Sequence, residues 1–137
     1  GQAVECWSNG LETGKIYCDQ HQWQEALPYV GCAYEASEIM LSTTYLDKYN
    51  SVYFFTSSAV LLMEVLSRLN CHDESRQVYQ SATQRLGREL IIHGADRPHV
   101  NQQLKRLDSE LERLTIANGH VHAASAKEIP QFSTTVH

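Results

Sequence analysis

Residues 14–41 read GKIYCDQHQWQEALPYVGCAYEASEIML, and the reading of this stretch decides the fold. From Trp23 onward the apolar and small residues fall at 23, 26, 27, 30, 33, 34, 37, 40 and 41. That is one stripe at helical period, about 100° wide, with Gln24, Glu25, Glu35 and Glu38 mostly off it. Just upstream, Ile16 and Tyr17 run into a polar break, Asp19-Gln20-His21-Gln22. The pattern predicts two helices joined by a tight turn. Gly14, Ala26 and Ala33 interleave with Tyr17 and Trp23, so small residues permit close backbone approach and aromatics fill the space beside it.

Upstream, residues 1–21 read as the first helix, with Val4, Trp7, Leu11, Gly14 and Tyr17 in series. Asn9-Gly10 weakens it, a glycine costing about 1 kcal/mol relative to alanine, so the helix starts either near the N terminus or after Gly10. The second helix tolerates Pro28 about one turn in and runs through Leu41, or as far as Lys48, before Tyr49-Asn50-Ser51 breaks it. A third helix, Ser51 to Leu69, is the most apolar. Phe54, Ser58, Leu61, Leu62, Val65, Leu66 and Leu69 form its stripe, widened by Phe55, Val60 and Met63, which marks it as the central element.

After Asn70-Cys71-His72, Asp73 is the expected cap of a fourth helix bearing Val78, Tyr79, Ala82, Leu86 and Leu90 and ending near His93-Gly94. Asp96-Arg97-Pro98 opens a fifth, with Asp as cap and Pro in the first turn. From Gly119 the chain turns small and polar and reads as a mobile tail or a late-ordered arm. The expected division is a helical domain over 1–118 and a polar C-terminal tail over 119–137.

The 137 residues suffice for one domain with a real core, without help from metal or disulfides. Three prolines and no enrichment in Gly or Val argue against a strand-rich sandwich. A net charge of −5 disfavours a general nucleic-acid binder, because no basic excess exists to displace counterions from phosphates. It equally disfavours an anionic membrane surface, and no apolar run is long enough to span a bilayer. No charged n-region and apolar h-region open the chain, so no secretory leader is read there. Four cysteines, at 6, 18, 32 and 71, form no CxxC pair. Reduced thiols in a cytoplasmic protein are expected, with a Cys6–Cys32 or Cys18–Cys32 bond as the alternative.

On these residues the first hairpin resembles a tetratricopeptide repeat (TPR). Gly14, Tyr17, Trp23, Ala26 and Ala33 stand at that family's offsets, with Gly10 and Thr13 replacing its usual aromatic and Leu. A weaker copy spans Ala59 to Leu86. Leu62, Leu66, Tyr79 and Ala82 match in type and Asn70 occupies the turn, whereas Met63, His72 and Ser75 depart from the pattern. His72 follows Trp23 by 49 residues, not the family's 34 or so, which implies a long second helix or an insertion over 42–50. The segment from Gly94 to Leu104 is similar to the start of a further repeat whose helix would cap the stack.

The resemblance covers residues 7–115. It implies an all-α fold of stacked antiparallel helix hairpins, about five helices in all, with a flexible C-terminal tail. The first helices of successive hairpins would line a groove that takes a partner peptide or helix, the work of an adaptor or chaperone-like module. The groove-facing offsets fall on Leu11, Lys15, Cys18 and Asp19 in the first helix and Val60, Glu64, Ser67 and Arg68 in the third.

Other readings are weighed beside it. Val100, Leu104, Leu107, Leu111 and Leu114 alternate by four and three, so a homodimer through Leu104, Leu107 and Leu111 is the structural alternative. Cys18, His21, Cys71 and His72 sit at the two predicted turns and could serve a thiol- or metal-responsive regulator, although zinc wants four converging ligands. Cys71-His72-Asp73 are sequence neighbours that point different ways on a turn, and no phosphate loop, GxSxG or HExxH motif occurs. Glu110 and Glu112 are placed on the fifth helix's outer face, in salt links with Lys105, Arg106 and Arg113. No enzyme, cofactor or metal centre is expected.

Overall fold

The computed structural model describes residues 2–43 and 47–128, apart from the side chains of 120–128. Its described residues form five α-helices and no strand: α1 (Gln2–Asp19), α2 (Trp23–Leu41), α3 (Lys48–Arg68), α4 (His72–Ile92) and α5 (Arg97–Glu128). α1 and α2 form one antiparallel hairpin, α3 and α4 a second stacked on it, and α5 packs against both helices of the second. No described helix is long and apolar enough to cross a membrane.

The two hairpin turns share one construction. In the first, the His21 N–H donates to the Cys18 carbonyl and the Gln22 N–H to the Tyr17 carbonyl, both at 2.9 Å. In the second, the Asn70 N–H donates to the Ser67 carbonyl at 3.0 Å and the Cys71 N–H to the Leu66 carbonyl at 2.8 Å. These paired bonds satisfy the last carbonyls of α1 and α3 and place one residue in the left-handed region, His21 at φ 58° and Asn70 at φ 62°. The spacing of 49 residues seen in the sequence is therefore also the spacing of the turns.

Gly10 does not break α1, which runs unbroken from Gln2 to Asp19. It is buried, and a Cβ there would stand 2.8 Å from the Tyr29 carbonyl oxygen and 3.4 Å from Ala33 Cβ. A Cβ on Gly14 would stand 2.5 Å from Val30 Cγ2. Two glycines one turn apart thus bring the backbone of α1 onto α2, and the closeness of the packing offsets their poor helix propensity.

Several boundaries differ from the sequence reading. α2 stops at Leu41, and α3 begins three residues before Ser51, because Asp47 caps it by accepting from the Tyr49 N–H at 3.1 Å. Nothing breaks the chain at Tyr49-Asn50-Ser51, which lie inside α3. Cys71, not Asp73, holds the cap position of α4, and Asp73 lies in the first turn. Asp96 does cap α5, accepting from the His99 N–H at 3.0 Å. The backbone of α5 continues past Gly119 to Glu128; residues 129–137 of the expected tail lie outside the described residues.

Phe55, Met63, Leu86, Leu107, Val52 and Val100 are fully buried where α3, α4 and α5 meet, with Leu41 of α2. Ala26, Val30, Leu62 and Val65 form a second cluster between α2 and α3, and Tyr34 packs against both. α3 is thus the central helix. Leu104 and Leu111 are partly buried against this core and Leu107 is wholly inside it, so the chain's own α3 and α4 cover most of the stripe proposed for a homodimer. At the opposite end the Glu89 carboxylate is fully buried, answered by Lys48 at 3.3 Å and Arg85 at 3.4 Å. Such a buried carboxylate needs these cations, since an unpaired charge there would cost several kcal/mol.

Candidate protein-binding groove

The first helices of the hairpins stand side by side. α1 meets α3 through Trp7, whose ring lies 4.2 Å from that of Phe54 and whose indole N–H donates to Ser58 Oγ at 2.7 Å. α3 meets α5 through longer polar side chains. Arg106 donates to Gln103 Oε1 at 2.7 Å and to Ser57 Oγ at 3.2 Å, with its guanidinium 5.2 Å from the centre of the Tyr53 ring. Arg113 grips both oxygens of Glu110, at 2.9 and 2.8 Å, and also reaches Glu64 at 3.4 Å. The Glu110 hydrogen bonds push the Arg113 pKa above the usual arginine value, so this fork stays charged.

Because these side chains are long, α3 and α5 do not close on each other as α1 and α2 do. A shallow groove of about 350 Å³ remains, with Val60 on one wall and Gln102, Lys105, Arg106, Ser109, Glu110 and Arg113 on the other. A second recess of about 260 Å³ continues past Arg113, bounded by Ser67, Arg68, Asn70 and His72 on one side and Leu114, Ala117 and Asn118 on the other. Arg113 lines both, and the two recesses together make up a trough along α3 and α5 that the Arg113–Glu64 ion pair interrupts.

Of the eight residues expected to face a groove, four lie along this trough. Val60 lines the wider part, and Ser67 and Arg68 line the recess. Glu64 lies between them, paired with Arg68 at 3.4 Å and with Arg113. Cys18 packs instead against the cluster between α2 and α3, where burial first and the Glu64 charge second raise its thiol pKa. Leu11 is buried, only 7% exposed, and presents no surface. Lys15 and Asp19 are exposed on α1. The α1 side of the expected groove is therefore sparse.

The other wall, on α5, differs from the sequence expectation of an outer face. Glu110 is in fact buried, 9% exposed, and turned toward α3, whereas Glu112 is exposed. A signal existed: Arg106, Glu110 and Arg113 repeat by four and three, a polar stripe one step away from the leucine stripe.

The proposed thiol and metal residues scatter. All four cysteines are free, Cys6 and Cys32 exposed and Cys18 and Cys71 half-buried. Among the described residues no three His, Cys, Asp or Glu side chains converge on one point. His72 instead pairs with Ser67, Nδ1 to Oγ at 3.3 Å. Compared with protein-family models, with curated proteins and with solved structures, the chain matches none.

Proposed function

We propose that this chain is a TPR-like protein-interaction module, an adaptor or chaperone-like domain, that holds a peptide or helix of a partner protein in the trough between α3 and α5. The observation that carries this reading is the pairing of a rigid scaffold with an open seam. α3 is packed on α2, α4 and α5, yet its side toward α5 keeps a half-buried Val60 and an exposed Tyr53 beside a row of polar groups. A concave, mostly preformed surface with an apolar base and convergent polar groups is what a groove binder needs. The repeated turn at 49 residues supports the repeat-like architecture, and four free thiols suit a reducing, cytoplasmic setting. The leucine stripe is largely taken up inside the fold, which favours the groove over self-association through α5.

The test is a paired affinity capture from source-cell lysate. Val60→Glu with Arg106→Glu alters the trough, and Gln77→Glu with Gln84→Glu alters exposed positions on α4. A partner retained by the wild type and the α4 variant but lost by the trough variant supports the reading. A partner lost or kept equally by both variants overturns it.

A further inference from the structure

Resting on the groove reading above, we infer that the partner segment is acidic, carrying side-chain carboxylates that meet Lys105 and Arg106 on one side of the trough and the Arg113 end on the other. The chain as a whole is negative, at −5, yet the trough gathers Arg68, Lys105, Arg106 and Arg113 against two carboxylates. Both carboxylates are already engaged. Glu110 is buried under the Arg113 fork, and Glu64 is shared by Arg68 and Arg113. Among the described residues neither Lys105 nor Arg106 has a carboxylate at ion-pair distance. Arg106 is held only by neutral acceptors, Ser57 and Gln103, and by the Tyr53 ring. A guanidinium has five N–H donors, so an orientation fixed by neutral groups leaves charge and donors for a ligand.

Geometry sets the spacing of the ligand's charges. Lys105 and Arg113 are eight residues apart on one helix, about 12 Å along its axis. Carboxylates about four residues apart in an extended segment, or about two turns apart in a helical one, span that distance. Between them an aromatic or aliphatic side chain would lie on Val60. The surrounding negative charge repels acidic chains that approach elsewhere, so attraction is confined to this register.

The experiment uses the whole chain and an unbiased display library of random peptides about a dozen residues long, each amidated so that no terminal carboxylate contributes. Enriched peptides are labelled and titrated by fluorescence anisotropy beside counterparts with Asp and Glu changed to Asn and Gln. The inference expects acid-rich peptides whose amide counterparts bind at least about tenfold more weakly, and whose affinity falls as salt rises from about 50 to about 200 mM. Lys105→Glu with Ser109→Glu, both exposed and outside the internal hydrogen bonds, should weaken binding by about tenfold while leaving the helical signal unchanged. Neutral or basic peptides that are nevertheless lost with Val60→Glu would sink the charge inference and leave the groove standing. Peptides indifferent to both variants, or no enrichment at all, would sink the two together. An oligodeoxyadenylate that displaces the peptide at equal charge would show mere polyanion attraction and also overturn the inference.

Discussion

Laid over the first hairpin with a shift of 49 residues, the second matches it through the turn: Ser67 falls on Cys18, Asn70 on His21 and His72 on Trp23. The interiors then diverge. Gly10 and Gly14 of α1 correspond to Ala59 and Met63 of α3, and Ala26 of α2 corresponds to Ser75 of α4. The first hairpin closes because atoms are missing, with backbone lying on Tyr29, Val30 and Ala33. The second closes because atoms are present. Met63 is fully buried, and Ser75 Oγ donates to the Met63 carbonyl at 2.9 Å. Position explains the choice. α1 packs chiefly on α2 and does best by lying close to it, whereas α3 fills a junction with α2, α4 and α5 and needs volume. Similar backbones can thus be held by opposite means, and substitutions should separate them.

The largest expected effect is on the filled side. Met63→Ala removes a side chain with no access to solvent, and should cost about 2–5 kcal/mol in chemical denaturation, the usual range for emptying a core site. A loss below about 1 kcal/mol would mean that the junction can collapse around the gap and that α3 is not its pillar.

Between the hairpins stands Tyr34, its ring 5.3 Å from Phe55. Burial first, and the Glu38 charge second, push its pKa up to about 12. The neutral phenol is the form the fold favours. Stability does not depend on this group below the unfolded value near 10 and falls as pH rises from about 10 to about 12, by roughly 2–3 kcal/mol in all. Tyr34→Phe should therefore flatten the alkaline limb of the stability curve while changing stability at neutral pH little. An unchanged alkaline limb would assign that limb to other groups and mean that burial between the hairpins does not hold the Tyr34 phenol neutral.

On the closed side, Gly10→Ala should cost about 1–3 kcal/mol, because the obstacle is a backbone carbonyl that cannot rotate away. The control is Gly31→Ala in α2, where an added Cβ meets nothing within 4 Å; helix propensity alone should then give a gain of about 0.5–1 kcal/mol. If both alanines stabilise, the two helices are not pressed together at Gly10.

How legible this was follows from the same contrast. The stripe from Trp23 to Leu41 and the leucines of α5 announce buried faces, because periodicity depends on one helix alone. Gly10 could not be read that way. By propensity it is a weak point, and only the presence of Tyr29 opposite turns it into a packing residue. The start of α3 was misplaced for a related reason: Tyr49-Asn50-Ser51 looks like a break until Asp47 is seen capping the Tyr49 N–H. Half of the trough was legible from the offsets in α3, through Val60, Glu64, Ser67 and Arg68. The α5 wall was not, since Glu110 beside three cations reads equally well as a solvated helix face.

The smallest effect tests the open seam itself. Glu64 pairs with Arg68 and Arg113, each about half exposed, so Glu64→Gln should change stability by no more than about 0.5 kcal/mol. Its signature should be chemical. The Glu64 charge, after burial, helps hold the Cys18 thiol pKa up, so its removal should lower that pKa and speed thiolate reactions. In a Cys6→Ser, Cys32→Ser, Cys71→Ser background, the rate of a disulfide reagent reports Cys18 alone. A faster rate with unchanged stability would show that α1 and α3 share one electrostatic surface although Leu11 is buried. An unchanged rate would mean that burial and the Asp19 charge govern Cys18, and the trough would then end at α3, leaving α1 as scaffold only.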